Sequence, residues 1–236
     1  LPHSMPHIPL YVPDEVRDPD PKKAYINTIE HIDSEVGRLL KALDDLKLAD
    51  NTYVIYTTDN GPWLPFLHHG GSAGPLRDGK GTTFEGGQRV PYVMRGPGIP
   101  AGTVCDELTG TIDLLPTIAA ITGKALPKGK KIDGVNVSGL WKGTEKNPPR
   151  TEFLHYTSRG DLEGIRSEKW KLLIKKPRRN PNNKPPEVFL FDLSKDLGEQ
   201  NNLAEAKPAV VLDLRARMET LDAEITKNAR SPWLKN

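Results

Sequence analysis

A short apolar run, Tyr53-Val54-Ile55-Tyr56, stops abruptly in Thr57-Thr58-Asp59-Asn60-Gly61, and this break constrains the 236-residue chain more than any other stretch. β-prone apolar residues followed at once by small polar ones are how a buried strand of an α/β sheet delivers side chains to its carboxyl end. Such folds keep their chemistry there. Asp59 and Asn60 offer adjacent hard oxygen donors, one charged and one neutral, and Gly61 lets the backbone turn so that both can aim at one point. That pair suits a divalent cation of the calcium or magnesium type. Further on, Lys80 sits between Gly79 and Gly81, where a compact positive charge on closely approaching backbone can meet an anionic group. A metal and a lysine together point to an oxyanion substrate.

The flanking segments read as scaffold and rim. Prolines at 2, 6, 9 and 13 predict an extended opening segment, which carries His3 and His7. Residues 22–46 have the three-and-four apolar spacing of an amphipathic helix that covers the sheet, and His31 on it reads as structural. The glycine- and proline-rich stretch 61–79 holds Trp63, Phe66, His68, His69 and Arg77, the composition of a pocket rim. Trp63 and Phe66 could stack on a sugar or aromatic ring, or pack on their own neighbours. The adjacent His68 and His69 would point apart and do not read as a metal pair. A second strand is expected within 90–95, and Glu85 and Arg89 are expected to hold the Lys80 loop in place. A helix is expected over 111–122, closed by Gly123.

The polar, proline-bearing run 142–150 marks an expected domain boundary. Beyond it, β-prone runs at 152–156, 162–166, 170–175 and 188–193 predict an antiparallel sheet, with Ser167-Glu168-Lys169 as a hairpin turn. An amphipathic helix over 207–225 covers it, and 178–186 reads as a solvated loop.

Lys+Arg 33 against Asp+Glu 31 gives a net charge of +2, which offers no reason to expect nucleic acid or an acidic membrane surface. The single cysteine, Cys105, excludes an internal disulfide framework and reads as a buried or half-buried thiol. No apolar run approaches a membrane span. The chain opens Leu1-Pro2-His3 without an initiator methionine and inside a motif, so it is expected to be a piece of a longer protein.

Thr58-Asp59-Asn60-Gly61, the Gly-Lys-Gly-Thr-Thr-Phe-Glu-Gly-Gly run at 79–87, Arg89-Val90-Pro91 and Thr111-Ile112-Asp113-Leu114-Leu115-Pro116-Thr117 stand in the order and spacing of the type I sulfatases. The chain resembles the C-terminal part of an arylsulfatase-like enzyme of the alkaline phosphatase superfamily. The resemblance implies an α/β fold. Residues 1–148 would be part of a mixed sheet flanked by helices, and 149–236 a small α+β subdomain with an antiparallel sheet and a C-terminal helix. It implies hydrolysis of a small-molecule or saccharide sulfate ester, with Ca2+, or alternatively Mg2+, on Asp59 and Asn60. His7-Ile8-Pro9 is similar to the family's His-x-Pro element, so His7 and Lys80 are the implied catalytic residues. His3, Trp63, His69 and Arg77 are candidates for the substrate rim. The family's nucleophile is a formylglycine made in a Cys/Ser-x-Pro-x-Arg motif. That motif is absent here, since Cys105 precedes Asp106-Glu107-Leu108, and the family's paired N-terminal acidic residues are absent too. The nucleophile is therefore expected on an N-terminal part of the same protein, and this piece alone is expected to be inactive. A periplasmic or secreted location is implied. A phosphodiesterase or phosphonate hydrolase of the same superfamily, and a catalytically dead glycan-binding module, remain alternatives.

Overall fold

Asp20 and Pro21 set the start of the first long helix. The Asp20 carboxylate accepts the Lys22 amide at 3.0 Å, Pro21 opens a 3-10 turn over Pro21–Lys23, and α1 follows over Ala24–Asp45. In the computed structural model, which describes residues 3–129, 131–177 and 185–229, this helix belongs to the first of two compact units, Leu1–Gly98 and Ile99–Asn236. Thr28 and Ile32 are buried on α1, whereas Ile26 and Leu39 are exposed, so only part of the predicted apolar stripe is covered. The helix packs along 3-10 turns at Pro21–Lys23, Ala49–Asn51 and Leu64–His69.

The strand at the break is β1, Val54–Thr57, and it pairs antiparallel with β2, Tyr92–Arg95, with Val54 opposite Arg95 and Thr57 opposite Tyr92. The expectation of a buried strand is corrected. Every residue of β1 is half-buried, because β2 is its one ladder partner among the described residues. Between the strands lies the short helix α2, Glu85–Gln88, whose Glu85, Gly86 and Gly87 are buried.

In the second unit, α3 (Leu114–Thr122) ends at Gly123 in the left-handed conformation, φ 65°, as the sequence predicted. Its first turn is a hub. The Asp113 carboxylate, 1% exposed, accepts the Gly110 and Val135 amides, each at 2.8 Å, and is gripped by the Arg150 guanidinium. Arg150 also donates to the Asp133 carbonyl at 2.9 Å and the Glu152 carbonyl at 3.3 Å. Burial alone would push the Asp113 carboxyl up. Arg150 and the two amides outweigh it and hold the group below the usual carboxylate range. Cys105 is exposed, which corrects the expected buried or half-buried thiol. It lies outside any helix or strand, beside Val104, itself 86% exposed.

After the one-turn α4, Ser138–Trp141, the strands β3 (Glu152–Tyr156), β4 (Leu162–Ser167), β5 (Trp170–Lys175) and β6 (Glu187–Asp192) form an antiparallel sheet in that order. Register places Leu154, Ile165, Leu172 and Leu190 in one row. Against the last three pack Leu214 and Met218 of α5, Pro208–Asn228. Burying each such side chain contributes about 1.5–3 kcal/mol. The turn between β4 and β5 puts Glu168 at φ 50°, the backbone geometry a tight hairpin demands. Helices with antiparallel sheets thus realise the expected α/β class. The loop expected over 178–186 falls largely outside the described residues.

His155 of β3 is 5% exposed, and neither ring nitrogen finds a hydrogen-bond partner among the described residues. Burial, then Lys171 of β5 and Arg166 of β4, push its pKa down to about 3 from 6.5. The unfolded chain therefore binds the proton more readily. Stability is full above pH 6.5 and falls by about 1.4 kcal/mol per unit as pH drops towards 3. His155→Leu should remove this contribution. In urea unfolding, the wild type should lose about 2 kcal/mol relative to the variant between pH 7 and pH 5. Parallel pH profiles would refute the assignment.

Candidate active site

Glycine lets two loops of the first unit meet backbone to backbone. The Gly61 amide donates to the Gly87 carbonyl at 3.2 Å, and the Lys80 amide donates to the Pro62 carbonyl at 2.8 Å. A Cβ on Gly61 would lie 1.7 Å from the Gly86 oxygen, and one on Gly79 would lie 2.3 Å from the Pro62 oxygen, so neither position admits a side chain. The turn that follows β1 is thereby locked to the loop that carries Lys80.

The meeting point opens into a cavity of about 420 Å³ lined by His7, Asp59, Asn60, Trp63, His69 and Lys80, with Tyr25 and Arg89. Burial raises the Tyr25 hydroxyl's pKa, so it stays a neutral donor at neutral pH. The Asn60 amide nitrogen donates to the Gly61 carbonyl at 2.9 Å, which leaves its carbonyl oxygen available beside the exposed Asp59 carboxylate. His7 Nδ1 lies 2.8 Å from the Ile8 carbonyl. A carbonyl only accepts, so Nδ1 carries the proton and Nε2 is the working nitrogen. His69 is used differently. Its Nε2 donates to the Pro21 carbonyl at 2.7 Å and ties the rim loop to the turn before α1.

Two rim candidates lie elsewhere. His3 lines a second cavity of about 500 Å³ with Tyr11, His31 and Glu35. The Arg77 guanidinium lies over the Phe84 ring, 4.0 Å from its centroid, outside the lining of the first cavity. Arg89 was expected only to brace the loop, yet it lines the cavity. An arginine two residues before Pro91, directly after a glycine-rich turn, was the available signal.

Asp59 and Asn60 give two hard oxygens on one wall, which fits part of a Ca2+ or Mg2+ shell. No cluster of three or more His, Cys, Asp or Glu able to hold a metal occurs among the described residues.

The family model described as Sulfatase matches residues 2–124, just over half of the chain. The chain belongs to the sulfatase family. Bos taurus arylsulfatase A is 37% identical over 215 residues, 83% of this chain and 42% of that protein. A crystal structure of Ps i-CgsB in complex with k-i-k-neocarrahexaose superposes with a TM-score of 0.78 at 29% identity, covering 98% of this chain and 50% of that one. The phosphonate monoester hydrolase of Agrobacterium radiobacter superposes with a TM-score of 0.61 at 25% identity, covering 85% and 41%. This sulfatase-family chain therefore spans about half the length of the relatives it matches. No helix among its described residues is long and apolar enough to cross a membrane.

Proposed function

We propose that the protein carrying this chain hydrolyses a sulfate ester to an alcohol and sulfate. The observation that carries this is the convergence of His7, Asp59, Asn60 and Lys80 on one cavity from separate segments of the chain. Asp59 and Asn60 would hold the cation, Ca2+ or alternatively Mg2+. When bound, it neutralises charge on the sulfate oxygens. Lys80 gives those oxygens a charge-assisted hydrogen bond where negative charge must be held as sulfur is attacked. His7, in its imidazolium form, donates from Nε2 to the ester oxygen as the S–O bond breaks and the electron pair passes to the leaving alcohol. We place the nucleophile, the family's formylglycine, on an N-terminal part of the same protein, and infer that residues 1–236 alone do not turn over substrate.

Trp63 and Phe66, exposed by 38% and 42%, would receive the alcohol part. A sugar has the apolar face such rings cover, and the likeness to a structure solved with a neocarrahexaose supports a saccharide ester. We further propose that the catalytic part runs to 148 with 149–236 as the sheet subdomain, and that the protein works in the periplasm or outside the cell.

The test uses the full-length protein matured by a formylglycine-generating enzyme, with 4-nitrophenyl sulfate, phosphate and phosphodiester as substrates. Sulfate turnover should dominate, disappear on chelation and return with Ca2+. Turnover of the phosphorus esters alone would replace this proposal with phosphoester or phosphonate hydrolysis, which the likeness to the phosphonate hydrolase favours as second reading. Saccharide binding with no turnover would support a glycan-binding module.

A further inference from the structure

Trp63 sits against both groups that the proposed reaction asks to handle charge. Its ring centroid lies 5.4 Å from Lys80 Nζ, within cation–π range, and 6.1 Å from the His7 ring at an interplanar angle of 43°. The Trp63 main chain is held by two hydrogen bonds and its ring by a neighbour. The Trp63 amide donates to the Gly70 carbonyl at 2.9 Å, its carbonyl accepts the Phe66 amide at 3.0 Å, and the Phe66 ring packs 4.6 Å away. Lys80 is held at its other end, because its amide is bonded to the carbonyl of Pro62, the residue beside Trp63. The main chain and the ammonium of Lys80 are thus both referred to the Pro62-Trp63 dipeptide.

We propose that Trp63 is the positioning residue of Lys80, an inference that rests on Lys80 being the cation that meets the sulfate. An ammonium on a four-carbon stem between two glycines would otherwise be free to turn to the carboxylate in the same cavity, Asp59. Such a pair would neutralise the charge and engage its donors. An aromatic face holds an ammonium through its quadrupole without neutralising it, and leaves N–H donors directed at an oxyanion. The same ring abuts His7, so one side chain spaces the charge partner from the proton donor.

The experiment is a double-mutant cycle in the full-length protein, with Trp63→Leu, Trp63→Phe and Lys80→Ala. Trp63→Leu should lower kcat about tenfold, apart from any rise in KM caused by losing a face for the alcohol part, and Trp63→Phe, which keeps a π face, should hold kcat within about threefold of wild type. In the Lys80→Ala background Trp63→Leu should lower kcat by much less than it does in the wild type. Additive losses, equal losses for Leu and Phe, or an unaltered Trp63→Leu would each overturn the proposal. A second readout does not need turnover. The Lys80 ε-methylene protons should resonate upfield under the indole ring current and return towards the random-coil position in Trp63→Leu. A shifted resonance in a protein that hydrolyses no sulfate ester would refute the proposed function while keeping the contact. An unshifted resonance would refute the positioning role whatever the activity.

Discussion

Replacing Lys80 by alanine in the full-length protein should lower kcat/KM for 4-nitrophenyl sulfate by about 100- to 1,000-fold, about 2.7–4 kcal/mol of barrier, the size of a lost oxyanion partner. The loss should fall chiefly on kcat, because a charge-assisted donor held in a cavity gains most from the charge that develops as the S–O bond breaks. Lys80→Arg should recover little of it. The backbone at this position is bound to Pro62, flanked by buried Gly79 and by Gly81 at φ 85°, and shaped for a slim stem ending in a point charge. A planar guanidinium carries its charge spread over a wider fork. Steady-state kinetics on the two variants decide the matter. A Lys80→Ala enzyme with near-wild-type kcat would remove this residue from the chemistry.

In the second unit, Lys171→Met alone should destabilise the fold by about 3–5 kcal/mol, and Glu199→Leu alone by a similar amount, whereas the double substitution should recover most of the loss. Lys171 Nζ and Glu199 Oε1 are 3.0 Å apart, and both side chains are 0% exposed. Removing one partner takes a neutralising opposite charge away from a group that water cannot reach. Removing both leaves an apolar site of similar volume, and the desolvation cost that opposed the pair goes with them. Urea unfolding of the three variants measures this directly. Simple additivity of the two single losses would show that the groups do not act as a pair.

How much of this was legible in the sequence varies with the range of the interaction. The strands at 152–156 and 170–175 could be read to the residue, because alternation and turn residues are local signals. The four motifs likewise named Asp59, Asn60 and Lys80, which the fold gathers on one cavity. The pairing of Lys171 with Glu199 was not readable: a lysine inside a strand ordinarily faces solvent, and its partner lies beyond a whole strand and turn. The half-burial of β1 was also missed, since an apolar run gives a strand but not the number of its neighbours. Trp63 could be seen as a rim aromatic. That it lies against Lys80 and His7 depends on three segments folding together, and no spacing rule reports such a meeting.

The Arg150 grip on Asp113 has a consequence for what this chain can tolerate. The same hub fixes the Val135 amide and the Asp133 carbonyl, and Thr117 accepts the Val137 amide at 2.9 Å. The chain is therefore fixed by backbone bonds where it leaves α3, with the Lys124 amide on the Ala119 carbonyl, and by side-chain bonds where it returns at Asp133 and Val135. Doubling the length of a loop fixed at both ends costs only about 0.6 kcal/mol of closure entropy. Added length between α3 and Asp133 should therefore cost the fold little beyond the exposed Lys131–Glu224 ion pair with α5, which makes it a natural place to graft new surface onto this scaffold.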